Sequence, residues 1–130
     1  MATWQDVRQI ALDLPGAVED ASGNTTAWRI SSKAFAWERV LRAGERALLG
    51  GTAPDGPALG LRVPDDGARE ALLLSRPEVY FSVPSYDAHP MVLARVEAAP
   101  FEDLDEAITE SWLCRAPKRQ ARDFLASLGD

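Results

Sequence analysis

VYFSVPSYDAHPMVLARVEAAPFEDLDEAITESWLCRAPKRQARDFL, residues Val79–Leu125, holds a hairpin, an acidic helix, a proline break and a basic helix in one run. Val79–Val83 and Met91–Val96 are apolar, have strand length and flank the turn-rich Pro84–Pro90. From Phe101, apolar or small residues recur at Leu104, Ala107, Ile108, Ser111 and Trp112, which is the spacing of a helix with one buried face. Pro117 ends that helix, because the residue before a proline is pushed out of the α region. Its fixed φ also suits the start of another helix, whose buried stripe is Ala121, Phe124, Leu125 and Leu128, closed by Gly129.

Thr3-Trp4-Gln5-Asp6 is a helix-capping signal, and Val7, Ile10, Ala11 and Leu14 form the stripe of the helix that follows. Leu14-Pro15-Gly16 stops it. Ala17–Thr26 is polar and reads as a surface connection. Strands are expected at Ala27–Ile30 and Ala34–Leu41, joined by Ser31-Ser32-Lys33 into a wing-like hairpin. A short strand is expected at Ala47–Gly50 and a loop at Gly51–Pro57. Leu59, Leu61 and Val63 alternate with Gly60 and Arg62, the period of a half-buried strand. Pro64-Asp65-Asp66 then opens a helix through about Ser75.

This order, α-β-β-β-β-α-β-β-α-α, does not alternate strand with helix. It predicts one α+β domain spanning residues 1–130, an antiparallel sheet with helices on one face. With Trp28, Ile30, Leu59, Leu61 and Val63 facing the core, alternation turns Arg29 and Arg62 to a bare second face. Arg39 or Arg95 joins them, depending on register.

The chain has 130 residues, one cysteine and a net charge of −6. One cysteine excludes an intramolecular disulfide. The opening Met1-Ala2-Thr3-Trp4-Gln5-Asp6 has neither a basic start nor an apolar run, so a cytoplasmic protein without a membrane segment is expected. Net negative charge argues against tight nonspecific binding to phosphate backbones. Its distribution is uneven: residues 28–50 sum to +3 (five basic, two acidic) and 115–130 to +2 (four against two), while 51–114 sum to −8 (four against twelve).

Leu14-Pro15-Gly16, Ser32-Lys33-Ala34-Phe35, Tyr86-Asp87-Ala88-His89-Pro90, and Ser111-Trp112 followed by Ala116-Pro117-Lys118-Arg119 stand in an order and spacing that resembles the MmcQ/YjbR family of small bacterial proteins. The resemblance covers nearly the whole chain. It implies a frataxin-like fold and the DNA binding through a double wing of hairpins often ascribed to the family. Members commonly carry glycine where Ser32 and Ala88 stand here.

Catalytic chemistry finds little support. His89 is the only histidine, and nearby Ser82, Ser85 and Asp87 form no nucleophile motif. The acids Asp6, Asp13, Glu19 and Asp20 lack the regular spacing a metal ridge needs, no phosphate-cradling glycine loop is present, and Cys114 reads as an inert core thiol. No cofactor or metal is expected. The expectation is a non-enzymatic binding module, weakly DNA-binding through Lys33, Arg42, Arg46, Lys118, Arg119 and Arg122. The alternative is a protein-interaction or small-ligand module using the open sheet face and the 84–90 loop, with Arg29, Arg62, Trp37, Tyr86 and His89 as its surface.

Overall fold

The computed structural model describes residues 1–21 and 23–129. Helix α1 (Trp4–Asp13) is followed by strands β1 (Val18–Asp20), β2 (Ala27–Ile30) and β3 (Lys33–Arg39), then helix α2 (Ala43–Leu49). Strand β4 (Ala58–Arg62), helix α3 (Asp66–Ser75) and strands β5 (Tyr80–Phe81) and β6 (Met91–Ala94) lead to α4 (Phe101–Arg115) and α5 (Lys118–Leu128). The strands form one antiparallel sheet in the order β1-β2-β3-β4-β6-β5. The α+β class is therefore as expected.

Local chemistry sets several boundaries. The Thr3 hydroxyl accepts from the Asp6 amide at 3.2 Å while the Asp6 carboxylate accepts from the Thr3 amide at 2.9 Å, a reciprocal cap for α1. Asp65 caps α3 from one side only, its carboxylate accepting from the Ala68 amide at 2.8 Å. Pro117, at φ −55°, ends α4 and starts α5.

The main core lies between one sheet face and the helices. Val7, Ile10 and Ala11 of α1 and Leu104, Ile108 and Trp112 of α4 pack on Trp28, Ile30, Leu59, Leu61 and Val63, all buried as the alternation requires. Trp112 also donates its indole N–H to the Pro15 carbonyl at 3.1 Å, satisfying a polar atom that burial would otherwise leave without a partner. A β-bulge adds to this core. Trp28 pairs with Ala36 and Arg29 with Ala34, so Phe35 is an extra residue in β3, and both Phe35 and Ala36 are buried.

Several expectations change, among them the buried stripe of α5, where Leu125 and Leu128 are exposed at 52% and 67%. Ala47–Gly50 is not a strand, because Ala43–Leu49 is helical; the Glu45 carboxylate accepts from the Arg42 amide at 2.8 Å at its start and pairs with Arg39 at 2.7 Å. The connection after Ala17 contains the edge strand β1, where Glu19 accepts from the Trp28 indole at 3.1 Å and pairs with Arg8 at 2.9 Å. The second sheet face is not bare: Leu41, Ala58, Phe81, Val83, Tyr86 and Leu93 form a smaller core on it, with Trp37, Leu49 and Met91 at its margin.

Candidate functional site

Trp37 organises this second face. It pairs with Gly60 across β3 and β4, and its indole lies so close over that glycine that a Cβ there would stand 2.1 Å from the ring nitrogen. The indole N–H donates to the Tyr86 hydroxyl at 3.0 Å. The Arg62 guanidinium lies 5.6 Å from the Trp37 ring, and that of Arg39 lies 5.6 Å from the Tyr86 ring. Arg39, Arg62 and Arg95 thus all reach this face, the last lying 4.3 Å from the Phe81 ring.

Arg69 of α3 fixes the loop that carries Tyr86. Buried at 8% exposure, it donates to the Met91 carbonyl at 3.1 Å, the Ser82 hydroxyl at 2.5 Å and the Asp87 carboxylate at 3.0 Å. Ser82 and Asp87 are joined in turn at 3.1 Å. His89 is exposed, and the hydrogen bonds around it are those of its backbone, from its amide to Tyr86 and from the Met91 amide to its carbonyl. Ser82 and Asp87, which precede it in sequence, are thus occupied in holding the loop.

The basic residues sort by partner. Arg8, Arg29, Arg39, Arg69 and Arg76 pair with carboxylates, while Arg46 donates to the Pro54 and Gly56 carbonyls and Arg95 to those of Thr52 and Pro77. Among the described residues, Lys33, Arg42, Arg62, Arg115, Lys118, Arg119 and Arg122 have no such partner. All of these except Arg42 lie on the elements that meet where the β2–β3 hairpin closes. Gly16 shows the convergence, since a Cβ on it would meet Gln120 of α5 at 2.7 Å and Ile30 of the hairpin at 2.8 Å. Ser111, fully buried in α4, donates to the Arg62 carbonyl at 2.6 Å and so brings the end of α4 to the same place.

Arg62 and Arg115 are near enough to repel. Burial first, then the Arg115 charge, pulls the Arg62 pKa down, and the Nε atoms of both residues are buried without hydrogen-bond partners. Two arginines left without carboxylates, in a chain with an excess of acids, form a locally positive surface. Arg42 and Arg46 lie beyond the other end of β3, whose seven residues put about 20 Å between them and Lys33. The six basic residues expected to act together are therefore two groups.

A cleft of about 450 Å³ opens between α3 and α4. Its walls include Leu61, Val63, Ala68, Leu72 and Ala107, with Tyr80, Asp103, Glu106 and Glu110 among its polar groups. Burial, followed by the Asp103 charge, pushes the Tyr80 hydroxyl up to about 12, so it stays protonated at neutral pH. Cys114 departs from its expected core position and is exposed. It falls outside the helical stripe of Leu104, Ile108, Ser111 and Trp112, and partial burial of its sulfur together with Glu110 still raises its pKa.

The YjbR family model matches residues 12–114. The chain belongs to the YjbR family. It is 43% identical over 132 residues to uncharacterized protein Rv2570 of Mycobacterium tuberculosis, spanning 99% of this chain and 100% of the relative. The same figures hold for uncharacterized protein Mb2600 of Mycobacterium bovis. The crystal structure of Deinococcus radiodurans protein DR2400, a DUF419 domain, matches with a TM-score of 0.64 at 21% identity, covering 99% of this chain and 89% of that one. That likeness is one of fold.

Sequence reasoning missed Arg69, Arg115 and the cleft in this YjbR chain. Arg115 adjoins the motif Ala116-Pro117-Lys118-Arg119, so its place at a basic junction was legible. Arg69 gave no signal, since an arginine within a helix ordinarily reads as solvated surface. Among the described residues no helix is long and apolar enough to cross a membrane.

Proposed function

We propose that this chain is a non-enzymatic binding module for an anionic ligand, a nucleic-acid backbone engaged weakly at the end of the sheet where the β2–β3 hairpin meets α5. The observation that carries this reading is that the elements meeting there bear the cations paired with no internal carboxylate: Lys33, Arg62, Arg115, Lys118, Arg119 and Arg122. Lys118, Arg119 and Arg122 are exposed on the first turns of α5, and Lys33 is exposed beside the hairpin turn. Such groups hold phosphates by charge and hydrogen bonding, which gives attraction without base readout. Arg42 and Arg46 are left out of this surface by their position.

Net charge −6 limits the strength. The dissociation constant at physiological salt is expected no tighter than roughly 10⁻⁴–10⁻⁶ M, the range of nonspecific binders. The test titrates labelled duplex DNA at several salt concentrations against the wild type, Lys118→Glu with Arg122→Glu, and Arg42→Glu. The double variant should weaken binding and flatten the log–log salt dependence by about two units, while Arg42→Glu leaves the slope unchanged. No binding at low salt, or equal loss from both variants, refutes the reading.

The sheet-face alternative draws on Trp37, Tyr86 and Arg62, whose aromatic groups are committed to each other and to Gly60. That commitment favours the basic end over the face.

A further inference from the structure

We propose that the cleft between α3 and α4 is a second binding site, beside the basic end, for a small organic cation: an ammonium group on an apolar body. The shape and lining match that chemistry. The volume of about 450 Å³ lies in the range of small-molecule sites, which are largely apolar with a few converging polar groups. Leu61, Val63, Leu72 and Ala107 supply apolar walls.

The polar groups select the charge. Arg76 is neutralised by Asp103 at 3.0 Å. Arg62 reaches the cleft from β4, but its guanidinium lies over Trp37 on the other sheet face. Glu106 and Glu110 stand one turn apart on α4, line the cleft and have no ion-pair partner among the described residues. An ammonium between them would meet two carboxylates, with Arg62 the one cation of the lining that no carboxylate pairs.

Tyr80 is the independent sign of a ligand. It is 4% exposed, lines the cleft, and its hydroxyl forms no hydrogen bond among the described residues. The side chain is largely buried, but its hydroxyl oxygen is open to the cleft rather than sealed off. The hydroxyl is protonated at neutral pH, and its oxygen can accept from an ammonium N–H. Apolar walls, two uncommitted carboxylates and one uncommitted hydroxyl therefore specify a lipophilic amine better than an anion or a neutral molecule.

The probe is phenethylammonium, with 2-phenylethanol and phenylacetate as neutral and anionic counterparts, titrated into the full chain by amide chemical-shift mapping. Phenethylammonium should shift the amides of residues around Leu72, Tyr80 and Ala107 with a dissociation constant of about 1 mM, fitting for so small a ligand. The alcohol should bind several-fold more weakly, and phenylacetate should leave those amides unmoved. Glu106→Gln with Glu110→Gln changes exposed positions and should weaken the amine roughly five- to tenfold while leaving the alcohol unaffected. Tyr80→Phe should weaken the amine further without changing the fold, checked by its unshifted remaining amides. Equal affinity for all three probes, shifts mapping away from the cleft, or no response at about ten times the expected constant overturns the proposal. Failure of the amine to bind leaves the DNA titration of Lys118→Glu with Arg122→Glu untouched, because Lys118 and Arg122 are not part of the cleft.

Discussion

Gly60→Ala is the sharpest test of how the second sheet face is built. The new Cβ would stand 2.1 Å from the Trp37 ring nitrogen and 2.2 Å from the adjoining ring carbon. Carbon contacts relax only near ~3.5 Å, so the indole must retreat by more than ~1 Å. Its hydrogen bond to Tyr86, now 3.0 Å, would stretch past any useful length and cost about 1 kcal/mol. The stacking of Arg62 on the displaced ring adds about 0.5–1 kcal/mol, and the loosened Trp37–Tyr86 contact a similar amount. Against these stands a gain of roughly 0.5–1 kcal/mol, because alanine loses less backbone entropy on folding than glycine. The net expectation is a loss of about 2 kcal/mol. Urea unfolding followed by far-ultraviolet circular dichroism measures it, with Trp37→Ala as a second background. There the added methyl meets no indole, and Gly60→Ala should be neutral or stabilising. A cost below ~0.5 kcal/mol in the wild type, or the same cost in both backgrounds, would refute the reasoning.

The hairpin turn offers a gain. Ser31 and Ser32 sit at φ 50° and 69°, where a side chain is strained, so Ser32→Gly should stabilise by about 0.5–1 kcal/mol in the same assay, net of glycine's greater unfolded-state entropy. A loss of stability would mean the turn has another conformation. Tyr80 gives a pH dependence. Its folded pKa, about 12, lies above the ordinary 10, so its stabilising contribution is whole below pH ~10 and is lost as pH rises toward 12. Between pH ~9 and ~11 the wild type should lose about 1 kcal/mol more than Tyr80→Phe, and parallel pH profiles would contradict the burial assigned to that hydroxyl.

The sequence by itself determined the elements whose periodicity is local. The 3.6-residue stripe of α4 and the alternation of Leu59, Leu61 and Val63 are set by which side chains leave water, so they placed the helix and β4 without reference to partners. The same chemistry marked Thr3 and Pro117 as boundaries. Residues whose role is a pairing with something distant gave no such sign. Glu19 reads as a polar loop residue until Trp28 and Arg8 reach it, and Glu45 until Arg39 does, which is why β1 and α2 escaped the reading. A glutamate three residues after Arg42 was a usable capping signal, but Gly44 and the apolar Ala47–Leu49 masked it. The assembly of the site belongs to this second kind, although Lys33, Lys118, Arg119 and Arg122 stood in the two segments of positive net charge. Hydrophobic patterning does not record which cations lack a carboxylate, that Ile30 and Gln120 meet across Gly16, or that α3 and α4 stand far enough apart to leave a cleft. Those facts arise only when segments remote in sequence share space, because charge pairing and cavity shape depend on distances that the folded backbone alone sets.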